Sequence, residues 1–117
     1  MKPNPKWKFA IGTTSRVPDS GGLHYLIADF DSVDIRIDPT KFGNNIVMQR
    51  TPNGWHIYTD VVLPFNILLQ KLRQLKADPA WIKIGEKRGY FFLADKSMTV
   101  FPWPVERMVI RYGKEKT

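Results

Sequence analysis

The sequence predicts an α+β fold: a mainly antiparallel sheet with one or two helices packed on one face. Three observations lead there. Short apolar stretches alternate with polar residues at the two-residue period of strands over most of the chain. Turn-forming Gly, Pro, Asn and Asp residues separate these stretches. Only one segment, residues 65–76, carries a long helical period.

In chain order, residues 7–11 read as a strand, and Pro18-Asp19-Ser20-Gly21-Gly22 as a turn. Residues 23–31 form the next strand, whose unbroken apolar run suits a central, buried position. Val33, Ile35 and Ile37 alternate with Asp34 and Arg36, which predicts a further strand with one wet face. Two strands, 46–50 and one beginning at Trp55, flank Thr51-Pro52-Asn53-Gly54. Proline presets the turn backbone there and Asn-Gly tolerates positive φ, so this is a hairpin. The helix over 65–76 puts Phe65, Leu68, Leu69, Leu72 and Leu75 on one face, with Pro64 suited to its first turn. Asp78 before Pro79 caps a second, short helix that runs to about Lys87 and is closed by Gly89. Residues 90–93 and 108–110 supply the final strands, with 98–101 as a candidate third. Pro102 and Pro104 bracket Trp103 and place that segment at a sheet edge.

A chain of 117 residues is read as one domain, 1–117, with tails of about 1–5 and 113–117 fraying. The hydrophobic share of 43% argues for a packed core and against disorder. No apolar run approaches the ~20 residues of a membrane span, and the basic N-terminus has no apolar signal region behind it. The chain has no cysteine, which excludes a disulfide framework and a thiolate zinc site; a cytoplasmic location follows by elimination. A net charge of +7 favours an anionic partner, of which nucleic acid is the commonest.

The chemistry concentrates in two places. Leu26-Ile27-Ala28-Asp29-Phe30-Asp31 ends an apolar strand in two aspartates one residue apart. On a strand their side chains share a face and repel unless a cation lies between them, and hard oxygen donors suit Mg²⁺ or Mn²⁺. The plainer reading is a strand that exits into a wet turn. The second place is Gly54-Trp55-His56-Ile57-Tyr58, where alternation gives Gly54, His56, Tyr58 and Asp60 one face and Trp55 and Ile57 the other. A neutral His56 beside Arg50 suits contact with a phosphate. The two-residue period further predicts that Asp29 and Asp31 face His56 across neighbouring strands. His24 has no such neighbours in sequence and is read as incidental. Two histidines without helical spacing exclude a zinc hydrolase of the His-Glu-x-x-His type; no serine has a nucleophile elbow, and no glycine-rich phosphate loop opens a helix.

An apolar-Asp-x-Asp motif, then a hairpin ending in small-x-His, then a further carboxylate resembles the archaeo-eukaryotic primase superfamily, which includes the primase-polymerases. The matching residues are Leu26 to Asp31, Gly54-Trp55-His56 and the region from Asp78 to Tyr90, and the motifs run in order between about Trp7 and Tyr112. Polymerising members carry an accessory region besides this core. The resemblance implies a modified RRM-like sheet that binds a nucleoside triphosphate and divalent metal, acting as a minimal nucleotidyltransferase in nucleic-acid replication or repair. It further implies that Asp29 and Asp31 are metal ligands and that His56 contacts phosphate. Asp78 is the first choice for the third carboxylate, with Asp95 and then Asp60 as alternatives. Arg50, Lys87, Arg88 and Arg111 would neutralise the triphosphate. The implied partners are single-stranded or primed nucleic acid and an accessory replication protein, in the setting of a plasmid, virus or other mobile element.

Two alternatives stand beside it. One is a non-catalytic, RRM-like module that binds single-stranded nucleic acid and stacks bases on Trp55, Tyr58, Trp81 or Trp103. The other is a rolling-circle replication initiator, disfavoured because the chain has no His-x-His.

Overall fold

The computed structural model describes residues 7–32 and 38–114. Among the described residues, six strands, two α-helices and one short 3-10 turn follow each other as β1 (Trp7–Thr14), β2 (His24–Phe30), the turn Pro39–Phe42, β3 (Ile46–Arg50), β4 (Trp55–Leu63), α1 (Phe65–Gln74), α2 (Pro79–Arg88), β5 (Phe92–Ala94) and β6 (Arg107–Lys114). The class is α+β, with antiparallel pairing throughout. The strands form two three-stranded sheets, ordered β5-β1-β6 and β2-β4-β3, rather than one.

The division arises at a corner. Beyond β1, the Ser15 N–H donates to the Phe91 carbonyl while the Ser15 carbonyl accepts from Tyr25 N–H, and Arg16 bridges to His24. The chain thus leaves one sheet and enters the other within two residues. Side chains seal this corner: Ser15 Oγ lies 2.7 Å from His24 Nδ1 and accepts from Phe91 N–H at 3.0 Å. His24 is buried and stacks on Phe65 at 4.8 Å, so it is a structural residue.

The hairpin forms over Thr51–Gly54 with Arg50 opposite Trp55, and the Thr51 side chain accepts from Gly54 N–H. Helix α1 buries Leu68 and Leu72 and only partly covers Phe65, Leu69 and Leu75. It stops at Gln74, two residues short of the predicted end, because Lys76 adopts φ +60° and the chain reverses. Asp78 caps α2 by accepting from Ala80 N–H, and Gly89 closes it at φ +87°. Gly85 is buried flat against the Phe91 ring, where a β-carbon would collide. Trp81 stacks on the same ring at 4.6 Å and donates to the Phe92 carbonyl. Phe65 of α1 meets the same ring at 5.5 Å, so Phe91 anchors both helices to the strands.

Three expectations need correction or limits. Residues 98–101 are not a strand: the Asp95 carboxylate captures the N–H groups of Ser97 and Thr99, and Met98 sits at φ +51°. Residues 102–105 form a loop, not an edge strand; Trp103 packs on Phe101 and the Tyr25 hydroxyl donates to the Pro104 carbonyl. The strand expected at 33–37 lies outside the described residues, as do 1–6 and 115–117, whereas Gly113 and Lys114 belong to β6. No helix among the described residues is long and apolar enough to cross a membrane.

Candidate functional site

The register of the second sheet brings the candidates together. In β2 and β4, Asp29 pairs directly with His56, and on the far side of β4 His56 pairs with Gln49 of β3. Asp29, His56 and Gln49 thus form one row across three strands, and paired residues share a sheet face. Their row opens onto a cleft of about 820 Å³, lined also by Asp31, Arg50, the turn residues 51–53, Asp95 and Lys96.

Gly54 explains the small residue two positions before the histidine. The turn crosses the end of β2 so closely that a β-carbon on Gly54 would collide with the Phe30 carbonyl and approach Ser32 N. We expect Gly54→Ala to cost about 2 kcal/mol, the usual penalty of overpacking a tight contact. Urea denaturation measures it, and an unchanged midpoint would show that the turn and β2 can separate freely.

The electrostatics follow from burial and neighbours. Burial, then the charges of Asp78 and Asp31, push the Asp29 carboxyl up to about 6. Burial lowers the His56 pKa, against an opposing pull from Asp95, so the imidazole is neutral near pH 7. Its Nε2 lies 3.5 Å from Asp29 Oδ1, too long for a good hydrogen bond. Arg50 reaches the Gly54 carbonyl at 3.3 Å and lies over the Trp55 ring, which steers the guanidinium along the hairpin.

Asp95 behaves differently from Asp29. Burial would raise its pKa, but hydrogen bonds from the Ser97 hydroxyl, the Thr99 N–H, the Thr99 hydroxyl and Gln49 outweigh it and hold the carboxyl at about 2. Ser97 Oγ donates at 2.6 Å and Thr99 N at 2.8 Å, and Arg107 Nη1 lies 3.7 Å away. Gln49 also bonds the Thr99 hydroxyl, and Arg107 the Thr99 carbonyl, so this loop joins both sheets at the cleft.

Of the residues singled out from sequence, Asp29, Asp31, Arg50 and His56 line the cleft. Asp78 does not: its carboxylate caps α2, although its N–H donates to the Asp29 carbonyl at 2.8 Å and its charge is felt at Asp29. Asp95, the second choice for a third carboxylate, does line it. Asp60 accepts from Asn45 elsewhere on β4. Lys87 and Arg88 are exposed in the last turn of α2, and Arg111 is exposed on β6; none of the three lines the cleft. Sequence reasoning passed over Gln49 and Lys96. Hairpin counting from the Asn53-Gly54 turn could have found the first, and the apolar-Asp ending of Leu93-Ala94-Asp95 marks the second.

Of the four residues named for base stacking, Tyr58 is buried, Trp55 is half-buried under the Arg50 guanidinium, and Trp81 and Trp103 are half-buried against core rings.

Among the described residues no group of three or more His, Asp or Glu side chains is placed to hold a metal ion by itself. The Asp29–Asp31 pair still fits Mg²⁺ or Mn²⁺ in one respect: such ions commonly take one or two carboxylates and complete their shell with water and substrate phosphates. No protein-family model matches this chain, nor does any curated protein or solved structure.

Proposed function

We propose that this chain is a minimal nucleotidyltransferase of the primase-polymerase type, built on a modified RRM-like core. In this reading the cleft binds a nucleoside triphosphate with Mg²⁺ or Mn²⁺. The observation that carries it is the direct pairing of Asp29 with His56, with Asp31, Arg50 and Lys96 lining the same cleft.

Asp29 and Asp31 would hold the cation, which supplies charge neutralisation and polarises phosphate oxygens. Neutral His56 donates its ring N–H to a phosphate oxygen. Arg50 offers a forked contact to the triphosphate and Lys96 a point charge. Asp95 keeps the 95–99 loop in place and stays ionised throughout. The reaction joins the 3′-hydroxyl oxygen of a primer to the α-phosphorus as its proton passes to water, breaks the bond from that phosphorus to the oxygen bridging the β-phosphate, and releases pyrophosphate. Single-stranded or primed nucleic acid is the second substrate, an accessory replication protein a fitting partner, and the cytoplasm of a cell carrying a mobile element a fitting setting. Burial of Tyr58 and the packing of Trp81 and Trp103 on core rings weigh against a module that only stacks bases.

Extension of a labelled primer–template with Mn²⁺ and nucleoside triphosphates tests the reading. The wild type should extend the primer, and Asp29→Asn with Asp31→Asn should remove at least about 99% of that activity, since both act on the same charge balance. Equal extension by the double variant would remove these carboxylates from the mechanism.

A further inference from the structure

A second concavity lies between the helices, apart from the cleft. It has a volume of about 470 Å³ and is lined by Arg73, Lys76, Ala77, Pro79, Ile82, Lys83 and Glu86. Pro79, Ile82, Lys83 and Glu86 fall at i, i+3, i+4 and i+7 of α2 and so form one stripe along its face. Ala77 and Ile82 are buried and supply an apolar floor. Lys76 and Lys83 stand on the rim, both exposed, and Arg73 is tied to Glu86 at 2.6 Å. That bridge is half-exposed on both sides, 55% and 49%, so an incoming carboxylate displaces it at little cost.

We propose that this groove docks an acidic peptide of a partner protein, one that inserts an apolar side chain between carboxylates. Charge complementarity supports the choice: three cations against one carboxylate surround an apolar floor. A volume in the ~300–1,000 Å³ range of ligand sites admits such an anchor. A phosphate backbone fits less well, because it has no apolar group for the floor and meets Glu86.

The test is fluorescence anisotropy of the full chain with a labelled ten-residue peptide of aspartates around one leucine and one phenylalanine. Saturable binding is expected, weakened about tenfold or more by Lys76→Glu with Lys83→Glu and strengthened by Glu86→Gln. Serine in place of the two apolar residues should weaken it by at least about fivefold, the worth of a partly buried anchor. Circular dichroism confirms that these exposed-residue variants fold. Absence of saturable binding overturns the proposal. So does unchanged affinity in the Lys76/Lys83 variant or with the serine peptide. Displacement of the peptide by single-stranded DNA that itself loses affinity in the Lys76/Lys83 variant would assign the groove to nucleic acid and also overturn it.

Discussion

Asp95→Ala should lower stability by about 3–4 kcal/mol, the range seen when a buried carboxylate is taken from its hydrogen-bond donors and a neighbouring cation. Asp95 is almost fully buried, and its removal strands the N–H groups of Ser97 and Thr99 and leaves Arg107 without its counter-charge. Each stranded donor costs its desolvation. For a domain of this size the melting temperature falls by roughly 15 °C. The pH dependence identifies the cause. A carboxyl held at about 2 in the folded protein, against 3.8 ordinarily, contributes stability above pH 4 that is lost as pH falls through 2. That acid-side loss, about 2 kcal/mol, should flatten in the variant. Denaturant titrations between pH 2 and 5 measure both effects, and a variant as stable as wild type would show that the 95–99 loop does not join the sheets.

Asp29→Asn should have the opposite sign. In the metal-free protein the carboxyl is raised from 3.8 to about 6, so the folded state binds its proton more tightly than the unfolded chain does. Stability is therefore higher below pH 4 and falls as pH rises through 6, by about 3 kcal/mol. Asparagine keeps the shape and removes the charge. At pH 7.5 the variant should be about 2–3 kcal/mol more stable than wild type, with its decline between pH 4 and 6 abolished. Gain of stability together with loss of primer extension is the signature of a group held in place for function. Loss of both would mean that Asp29 is structural.

These two aspartates also show what is legible in sequence. The two-residue period sets which face Asp29 takes on β2 and His56 on β4, and the Asn-Gly turn sets the register of β3 on β4; the pairing of β2 with β4 spans the chain between them and is not a local signal. Helix α2 was equally open to reading: Asp78-Pro79 at one end and Gly89 at the other are capping residues and act as such. The same fact explains why Asp78 does not line the cleft. A carboxylate committed to Ala80 N–H points along the helix start, not toward His56. Asp95 enters because β5 pairs with β1, a partner eighty residues away, and no local pattern reports such a pairing. Division into two sheets has the same origin, since it depends on backbone bonds at Ser15 that any sequence could make. Residues 98–101 read as a strand from their apolar content. The Asp95 carboxylate overrides that propensity by taking the N–H groups a strand would need.

Paramagnetic broadening by Mn²⁺ tests the metal and nucleotide cleft most directly. Isotope-labelled protein is titrated with Mn²⁺, first alone and then with a nucleoside triphosphate. Two carboxylates alone bind the ion weakly, so the effect should be slight at first and strong once phosphates complete the shell. Amide signals of residues 29–31, 54–56 and 95–97 should then vanish before any others, and Asp29→Asn with Asp31→Asn should restore them. Broadening centred anywhere else, or signals at 29–31 and 54–56 that stay sharp with nucleotide present, would contradict a metal and nucleotide site in this cleft.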